Sequence, residues 1–290
     1  YRPNPSARRL ASGRLDTIGL VIPRFADMFH SFHVNELLRG IGTAVDRLKL
    51  NLLLHVTDGR SFLDLTKVDG VLFADIDGNE DQLDFVLDQT VPCVVMVNYI
   101  KELPVSCTAV DNRTAGEHVV DYLAKLGHRE IATITGHLRT PCGLDRLDGY
   151  LKAMKARGLE VQPHFVQHGD YTGASAREPA RRLLTHPHRP TAIFAASDEM
   201  AVATMEAAHD AGLRVPEDLS VVGFDDSPIA AFAKVPLTTV WQPLSQIGEM
   251  SAEALYKVIQ GQARRPIKTL LATKLVERQR VVTAPSAGVA

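Results

Sequence analysis

The sequence is poor in cysteine and contains no long apolar run. Its three cysteines, Cys93, Cys107 and Cys142, lie far apart and form no C-x-x-C pair, so we expect neither a disulfide framework nor a zinc site. No apolar stretch approaches the roughly 18 residues that a membrane-spanning helix needs. With 45% hydrophobic and 23% charged residues, the 290-residue chain is predicted to be globular and long enough for two domains. The cysteine usage favours a reducing cytoplasm.

The first residues lack both an initiator methionine and a secretion signal. No charged segment is followed by an apolar run and a small-residue cleavage site, so nothing predicts export, and we expect further residues upstream of Tyr1. The formal net charge is only −2, which argues against nucleic-acid binding over the whole surface. The local exception is residues 1–14, which contain four arginines and no acidic residue.

Signatures of catalysis and of cofactor binding are also missing. The chain has no G-x-G-x-x-G after a strand, no G-x-x-x-x-G-K-[ST] loop and no G-x-S-x-G elbow. Its eleven histidines show no H-E-x-x-H or other metal-ligand spacing, and His186 and His188 fit solvated loop positions. Asp225 and Asp226 could form a carboxylate dyad, but adjacent side chains at a strand end point in different directions. We therefore expect no enzyme activity, no cofactor and no metal.

From Thr17 onward, short β-branched runs alternate with amphipathic stretches of helical period. Near-continuous apolar strands that alternate with helices predict parallel sheets covered on both faces, an α/β fold. Gly127, Gly158 and Gly212 directly follow helical patterns and are expected to end them in the left-handed conformation. The predicted strands span residues 17–22, 51–56, 70–74, 93–97, 108–110, 130–135, 165–169, 191–196, 219–224 and 270–276. The predicted helices span residues 34–48, 113–126, 144–157, 178–184, 199–211 and 247–260.

There are too many strands for one compact sheet, so we expect two doubly wound lobes that divide near Gly127. The helix and strand after Val240 would complete one lobe and then the other. One connection is unusually short, because only 13 residues, from Thr57 to Asp69, separate the second and third strands. This length is barely enough for a parallel crossover with a helix. Either the connection lacks a helix or residues are absent between Gly59 and Val68.

Polar and aromatic residues follow nearly every predicted strand. Ligands bind beyond the carboxyl ends of the strands in open parallel sheets, so these residues are candidates for a ligand site. Carboxylates, amides, an arginine and flat aromatic rings suit a small polyhydroxylated molecule. Alternatives stay open, since Asp111, Asp198 and Asp225 each precede a helical segment and could be N-caps. Arg146 could be a surface residue, and Trp241 could belong to the core.

The basic opening segment is compatible with one short helix. Asn4 and Pro5 form a pair that starts helices, and Gly13 would stop the run SARRLA. An isolated helix of this length is unstable in water, so the segment should fold only on a partner. Arginines without a counter-charge indicate a phosphate backbone as that partner. The alternative is a solvated tail.

A series of motifs runs through essentially the whole chain, and together they resemble the LacI/GalR family of bacterial transcription regulators. The combination of GHR-x-IA, SDEMA and VPEDLSVVGFDD is the most specific part of this resemblance. The motifs are YRPN, ARRLA, TIGLVIP, VDGVLF, VPCVVMVN, AVDNRTAG, LGHREIATITG, RLDGY, TAIFAASDEMA, GLRVPEDLSVVGFDD, PLTTVWQP and IGEMSAEAL.

The resemblance implies how the chain is organised. Members of the family have a helix-turn-helix domain before the YRPN-like run, so residues 1–14 would be the hinge that contacts operator DNA. A hinge helix packs against its mate from a second subunit in the minor groove, with Leu10 as the wedge that bends the DNA. The implied hinge contacts with DNA are Asn4, Ala7, Arg8 and Leu10. The implied core is periplasmic-binding-protein-like, with an N-terminal lobe of residues 15–126 and 243–268, a C-terminal lobe of 127–242 and 269–284, and a tail of 285–290.

The resemblance also implies an effector site in a cleft between the lobes and a homodimer. Arg146 in RLDGY matches the family's ligand-gripping arginine, and Asp225 matches a ligand carboxylate. Binding of a small molecule would shift the lobes and change operator affinity. The polar and aromatic residues favour a sugar or sugar derivative, but the family also recognises purines and other small metabolites. The implied effector residues are Arg146, Asp225, Asp111, Tyr171, Ser197, Gln242, Arg24, Phe25, Asp27, Asn98 and Trp241.

The chain departs from the family in its short connection between Gly59 and Val68 and in the ending ERQR, which replaces the usual R-x-S. Two other functions compete with a regulator. A solute-binding protein of a sugar transporter would share the fold but would need an export signal. An enzyme that uses the aspartates would turn over a sugar instead of only binding it.

Overall fold

The computed structural model describes residues 14–24, 28–263 and 266–278 and divides into two compact units. Unit 1 contains residues 1–110 and 243–271, and unit 2 contains residues 111–242 and 272–290. The chain therefore passes from one unit to the other after Val110, Gln242 and Leu271. The implied hinge residues Asn4, Ala7, Arg8 and Leu10, together with Phe25 and Asp27, lie outside the described residues.

Unit 1 is built on a six-stranded sheet whose paired strands all run parallel, in the order β11-β5-β4-β3-β1-β2. Its strands are β1 (Thr17–Pro23), β2 (Asn51–Thr57), β3 (Gly70–Phe73), β4 (Cys93–Met96), β5 (Ser106–Val110) and β11 (Lys268–Leu271). Its helices are α1 (Phe32–Leu48), α2 (Glu80–Asp88) and α8 (Leu244–Ile259), with short 3-10 helices at Met28–His30 and Leu65–Lys67.

Both faces of this sheet are buried, as near-continuous apolar strands predict. Alternate strand residues such as Ile18 and Leu72 pack with α1 and α8 in one core cluster. Their neighbours Val21 and Val71 pack with α2 and with the β2–β3 connection in a second cluster. The sheet is therefore the middle layer of unit 1, and its carboxyl edge carries the polar residues that follow each strand.

Glycine lets α1 and α8 approach at backbone distance. A Cβ added to Gly40 would lie 1.8 Å from the carbonyl oxygen of Ser245, and one added to Gly248 would lie 2.3 Å from that of Leu37. The two glycines face the partner helix reciprocally, so neither position accommodates a side chain without separating the helices.

The β2–β3 connection contains no α-helix within residues 58–69, all of which the structure describes. Leu63 is buried and lies directly over Gly19, where an added Cβ would be 2.4 Å from the Leu63 side chain. The side-chain amide of Gln82 donates to the carbonyl of Ser61 and accepts from the amide of Leu63. The chain thus passes from β2 to β3 with only the 3-10 helix at Leu65–Lys67, and Gln82 satisfies two of the backbone polar groups of this connection.

Unit 2 contains a four-stranded parallel sheet in the order β7-β6-β8-β9 and an antiparallel pair, β10 and β12. Its strands are β6 (Ile131–Thr135), β7 (Val166–His168), β8 (Ala192–Ala195), β9 (Ser220–Val222), β10 (Thr239–Trp241) and β12 (Lys274–Val276). Its helices are α3 (Asn112–Lys125), α4 (Pro141–Ala156), α5 (Gly173–Thr185), α6 (Asp198–Asp210) and α7 (Pro228–Phe232), with a 3-10 helix at Pro163–Phe165.

The α/β class with parallel, doubly wound sheets is confirmed, and so are the left-handed helix ends at Gly127, Gly158 and Gly212. The single strand predicted over 270–276 is wrong. It is divided into β11 and β12, because the chain passes between the units after Leu271. Strand β10 and helices α2 and α7 were not expected.

The observed division between the units differs from the one implied at 126/127 and 268/269. Helix α3 belongs to unit 2 because it packs on α4, where Arg113 pairs with Asp145 and Asp148. An added Cβ on Gly116 would lie 2.6 Å from the carbonyl oxygen of Arg146, which again reflects close helix contact. None of the helices in the described part of the chain is long and apolar enough to cross a membrane.

Candidate functional site

Arg146 lies inside unit 2, at the carboxyl end of its sheet. It is 6% exposed and sits on α4, whose first turn is capped by the Thr140 hydroxyl. Its Nε donates to Asn112 Oδ1 at 2.8 Å, and its Nη1 donates to the carbonyl of Ala196, just after β8, at 2.6 Å. The guanidinium carbon stands 3.5 Å from the centre of the Phe224 ring, a cation–π contact. Arg146 is therefore a fixed interior group and not a surface residue.

Asp225 follows β9 and lies in the same region. Its amide donates to the carbonyl of Val240 at 2.8 Å, and Gln242 Nε2 donates to its Oδ1 at 2.6 Å. Burial raises the pKa of the Asp225 carboxyl well above its ordinary value, and the charge of Asp198 raises it further, while Arg146 opposes the shift. Asp225 is not an N-cap, because Ser227 occupies that position before α7.

Asp198 and Ser197 both stabilise the site, and Asp198 is not the N-cap that the sequence left as an alternative. Ser197 is the N-cap of α6, and Asp198 instead accepts hydrogen bonds from the amide and hydroxyl of Ser227 and from the hydroxyl of Thr239. Burial raises the pKa of the Asp198 carboxyl. The Ser197 hydroxyl donates to the carbonyl of Tyr171 at 2.6 Å. Both residues join strand ends that are distant in sequence.

Tyr171 is held in a left-handed conformation, with φ of +75°. Its ring lies where a Cβ on Gly136 would be, and its hydroxyl is 3.1 Å from Thr140 Oγ1 and 3.2 Å from Cys142 Sγ. Burial raises the pKa of the phenol. The guanidinium of Arg146 is 5.6 Å from the ring centre, so Tyr171 forms one wall beside the arginine.

The structure brings five of the implied effector residues into this connected region of unit 2: Arg146, Tyr171, Ser197, Asp225 and Gln242. Trp241 is adjacent, half-buried on β10, with an isolated β-bridge to Asp225 and the Lys274 ammonium 5.3 Å from its ring centre. Asp111 is the N-cap of α3 and accepts from the amide and hydroxyl of Thr114, so the capping alternative is confirmed for it.

Two other implied residues belong to unit 1. Asn98 follows β4, is fully buried, and donates from its side-chain amide to Asp75 Oδ1 at 2.7 Å. Arg24 follows β1, is exposed, and uses its backbone amide to bond the carbonyl of Thr57. Asp75 also accepts from the amides of Ile76 and Asp77, and burial raises its pKa.

Sequence reasoning missed Phe224, whereas Asn112 and Asp75 were among the candidates that follow predicted strands but were not among the implied effector residues. Asn112 directly follows the predicted Asp111, and Phe224 directly precedes the predicted Asp225, so position after a strand was the available signal. Their roles depend on contacts with residues far along the chain, which no local pattern predicts.

The unit 2 cluster combines a fixed cation, a carboxyl, an amide and two aromatic rings. Such a set can donate and accept hydrogen bonds while an aromatic face packs on apolar ligand surface. Within residues 14–24, 28–263 and 266–278, no group of three or more His, Cys, Asp or Glu could hold a metal ion. The arrangement is suited to binding a small polar molecule.

Comparison with known proteins agrees with this reading of the fold. A family model described as a periplasmic binding protein-like domain matches residues 120–280, more than half of the chain. The HTH-type transcriptional regulator CelR of Thermobifida fusca is 34% identical over 296 residues, covering 96% of this chain and 85% of that protein.

Solved structures give the same result. A transcriptional regulator CelR–cellobiose complex superposes with a TM-score of 0.84 at 29% identity, covering 97% of this chain and 89% of that one. A lac repressor dimer bound to operator and the anti-inducer ONPF superposes with a TM-score of 0.82 at 25% identity, with coverage of 97% and 86%. The resemblance seen in the sequence is confirmed: the chain belongs to the LacI/GalR family of transcriptional regulators and comprises its periplasmic-binding-protein-like effector-sensing core.

Proposed function

We propose that this chain senses a sugar or sugar derivative at the carboxyl edge of the unit 2 sheet and passes the event to operator DNA as part of a homodimeric, cytoplasmic regulator. The single observation that carries the proposal is the cluster in which the buried Arg146 and Gln242 and the partly buried Asp225 are held by unit 2 alone. In a family member, such a cluster at the carboxyl ends of parallel strands is placed where ligands bind.

Each residue of the cluster has a different role in recognising the sugar. The Arg146 guanidinium and the Gln242 amide donate hydrogen bonds to hydroxyl oxygens, and Asp225 accepts from hydroxyl groups when ionised. The ring of Tyr171 or Trp241 packs on the apolar face of a pyranose. Because Arg146 and Gln242 already hold internal partners, the site is preorganised and loses little side-chain entropy on binding.

The relatives support a regulator in preference to a transporter protein. CelR of Thermobifida fusca, which is 34% identical, is named a transcriptional regulator. A solved CelR structure is a complex with cellobiose. The lac repressor structure is a dimer on operator DNA. Effector binding would act by favouring one of two conformations that differ in operator affinity. A binding function without turnover also accounts for the missing catalytic motifs.

A thermal-shift screen of mono- and disaccharides, cellobiose included, tests the proposal. We expect at least one sugar to raise the melting temperature, as a ligand that binds only the folded state must. Arg146→Ala should abolish that shift. Arg113→Ala is the matched control, because Arg113 pairs with Asp145 and Asp148 on the exposed side of the same helix pair. No shift with any sugar, or an unchanged shift in Arg146→Ala, would count against the proposal.

Sedimentation tests the proposed homodimer, and product analysis tests whether the bound sugar is turned over. A homodimer predicts a sedimenting mass near twice 31.7 kDa. Incubation with the bound sugar should return it unaltered at stoichiometric binding. Hydrolysis or oxidation of the sugar by the purified chain would favour the enzyme alternative.

A further inference from the structure

The turn that carries Asp225 is strained at two consecutive residues. Asp225 has φ of +119° and Asp226 has φ of +56°, and neither is glycine. Non-glycine residues with positive φ are uncommon, and such conformations persist only where the surroundings enforce them. The position of the Asp225 carboxyl therefore depends on whatever holds this turn.

The two aspartates point to different partners, as adjacent residues at a strand end should. Asp225 is held by the Val240 carbonyl and by Gln242. The Asp226 amide lies 3.4 Å from Thr239 Oγ1, and its carboxylate accepts from the guanidinium of Arg278. Arg278 follows β12 and lies 52 positions from Asp226 in the sequence, so a separate segment of the chain holds this turn.

Arg278 binds the same region through two further hydrogen bonds. Its Nη1 donates to the carbonyl of Leu237 at 3.2 Å, and its backbone amide donates to Thr238 Oγ1 at 3.2 Å. Leu237 and Thr238 lead directly into β10, which ends one residue before Gln242. Arg278 therefore contacts both the Asp226 side of the turn and the segment that supplies the partner of Asp225.

The Arg278–Asp226 pair is also shielded from solvent. The two side chains are 22% and 18% exposed, whereas those of the Arg214–Asp218 pair in the same unit are 71% and 30% exposed. A partly buried, charge-assisted contact is stronger and more directional than an exposed one, which contributes little. The pair is suited to fixing geometry.

We propose that Arg278 is a positioning residue, which clamps the left-handed Asp225–Asp226 turn to the β10 segment and so fixes the Asp225 carboxyl against Gln242. That this carboxyl binds an effector rests on the proposed function. Arg278 lies within ERQR, the ending that replaces the R-x-S expected from the family resemblance. Its contacts with Asp226, Leu237 and Thr238 give Arg278 a structural role in this turn.

The first test needs no ligand. Asp226→Asn combined with Arg278→Met removes the ion pair without changing net charge, and asparagine still tolerates the left-handed region. We expect carbon-13 NMR to show the Asp225 titration midpoint falling by about one pH unit, because a freed turn admits water to the carboxyl. Amide exchange at Asp225 should accelerate about tenfold. Arg214→Met with Asp218→Asn, the exposed pair, should change neither.

An unchanged midpoint and unchanged exchange at Asp225 in the Asp226→Asn/Arg278→Met protein would overturn the proposal. Arg278→Lys provides a second measurement, because it keeps the charge but loses the planar fork, and should give an intermediate result.

The second test uses cellobiose as the probe, with Trp241, the chain's single tryptophan, as the fluorescent reporter. If the wild-type protein binds it, the double variant should bind about tenfold more weakly and the exposed-pair variant equally well. Equal affinity in all three proteins would overturn a role for the clamp in effector binding. If neither cellobiose nor any other sugar of the screen binds the wild type, the proposed function fails, while the ligand-free test still decides the clamp.

Discussion

Units 1 and 2 share an architecture but differ in how they treat polar groups at the carboxyl edge of the sheet. Each has a parallel sheet and a helix pair in close contact through glycines, Gly40 and Gly248 in one and Gly116 and Gly149 in the other. In unit 2 the edge holds a charged cluster whose buried members are braced by one another. In unit 1 it holds the smaller Asp75–Asn98 pair, in which Asn98 Oδ1 is buried and has no hydrogen-bond partner among the described residues.

The difference teaches that the fold and the site depend on separate residues. The helix pairs and sheet cores are built from glycine and apolar side chains, which would support the fold with many different edge residues. The unit 2 edge places buried charge in a low-dielectric region and satisfies it by geometry, which costs stability unless every partner is present. Such a cluster is expected where binding requires fixed donors and acceptors.

The largest expected effect comes from disrupting the close helix contact that both units have. Gly40→Ala would place a methyl group 1.8 Å from the Ser245 carbonyl oxygen, so α1 and α8 must separate. We expect the free energy of unfolding to fall by about 3 kcal/mol or more in urea titrations. Gly42→Ala is the control on the same helix, since an added Cβ there meets nothing within 4 Å. It should stabilise the protein by up to about 1 kcal/mol through helix propensity.

Gly149→Ala should behave like Gly40→Ala, because its Cβ would lie 2.1 Å from the Arg113 carbonyl oxygen. A mild effect at Gly149 and a severe one at Gly40 would show that only unit 1 depends on close helix contact, and the shared principle would fail.

The second effect concerns the polar edge. Asp198→Ala leaves the Ser227 amide, the Ser227 hydroxyl and the Thr239 hydroxyl without their buried acceptor. We expect a loss of about 3 kcal/mol in unfolding free energy. Asp75→Ala in unit 1 should cost less, about 1–2 kcal/mol, because two of the three hydrogen bonds that its carboxylate accepts come from the adjacent amides of Ile76 and Asp77 and only one from Asn98. Equal losses would remove the distinction between the two edges.

The sequence predicted the elements better than the site. Buried β-branched runs such as those of β1 and β6 carry their own signal, and so do the helix-ending glycines. Strand β10, with only three residues, depends on its pairing with β12, about 35 positions away. Arg146 and Asp225 were expected from the family resemblance, but the bonds of Arg146 to Asn112 and Ala196 span 34 and 50 positions. Contacts of that separation follow from topology and have no local pattern.

The third prediction concerns pH. Burial raises the pKa of both Asp225 and Asp198 above the ordinary value of 3.8, so the folded state binds more protons than the unfolded state above that pH. The free energy of unfolding should therefore fall as pH rises from about 5 to about 8, by at least about 1 kcal/mol. Urea titrations followed by Trp241 fluorescence measure this in unit 2.

Asp225→Asn keeps an acceptor for Gln242 but removes one of the two titrating groups, and should reduce the dependence to the part that Asp198 contributes. Asp218→Asn is the control. Its pKa is lowered to about 2 by hydrogen bonds from Arg214, so its contribution is lost only as pH falls below about 4. A pH dependence unaltered by Asp225→Asn would place the titrating group elsewhere, and Asp198 in the same unit would be the next candidate, followed by Asp75 in unit 1.

The smallest effect concerns Phe62 in the β2–β3 connection, which contains no α-helix within residues 58–69. Phe62 is 43% exposed, and its ring centre lies 5.2 Å from that of Phe85. Phe62→Ala should cost about 1 kcal/mol or less, since half of its surface already meets water. Leu63→Ala, at the next residue, should cost about 2–4 kcal/mol, because that side chain is buried over Gly19. If the order were reversed, the contact between Phe62 and Phe85, and not the packing of Leu63 on the sheet, would be what stabilises the connection.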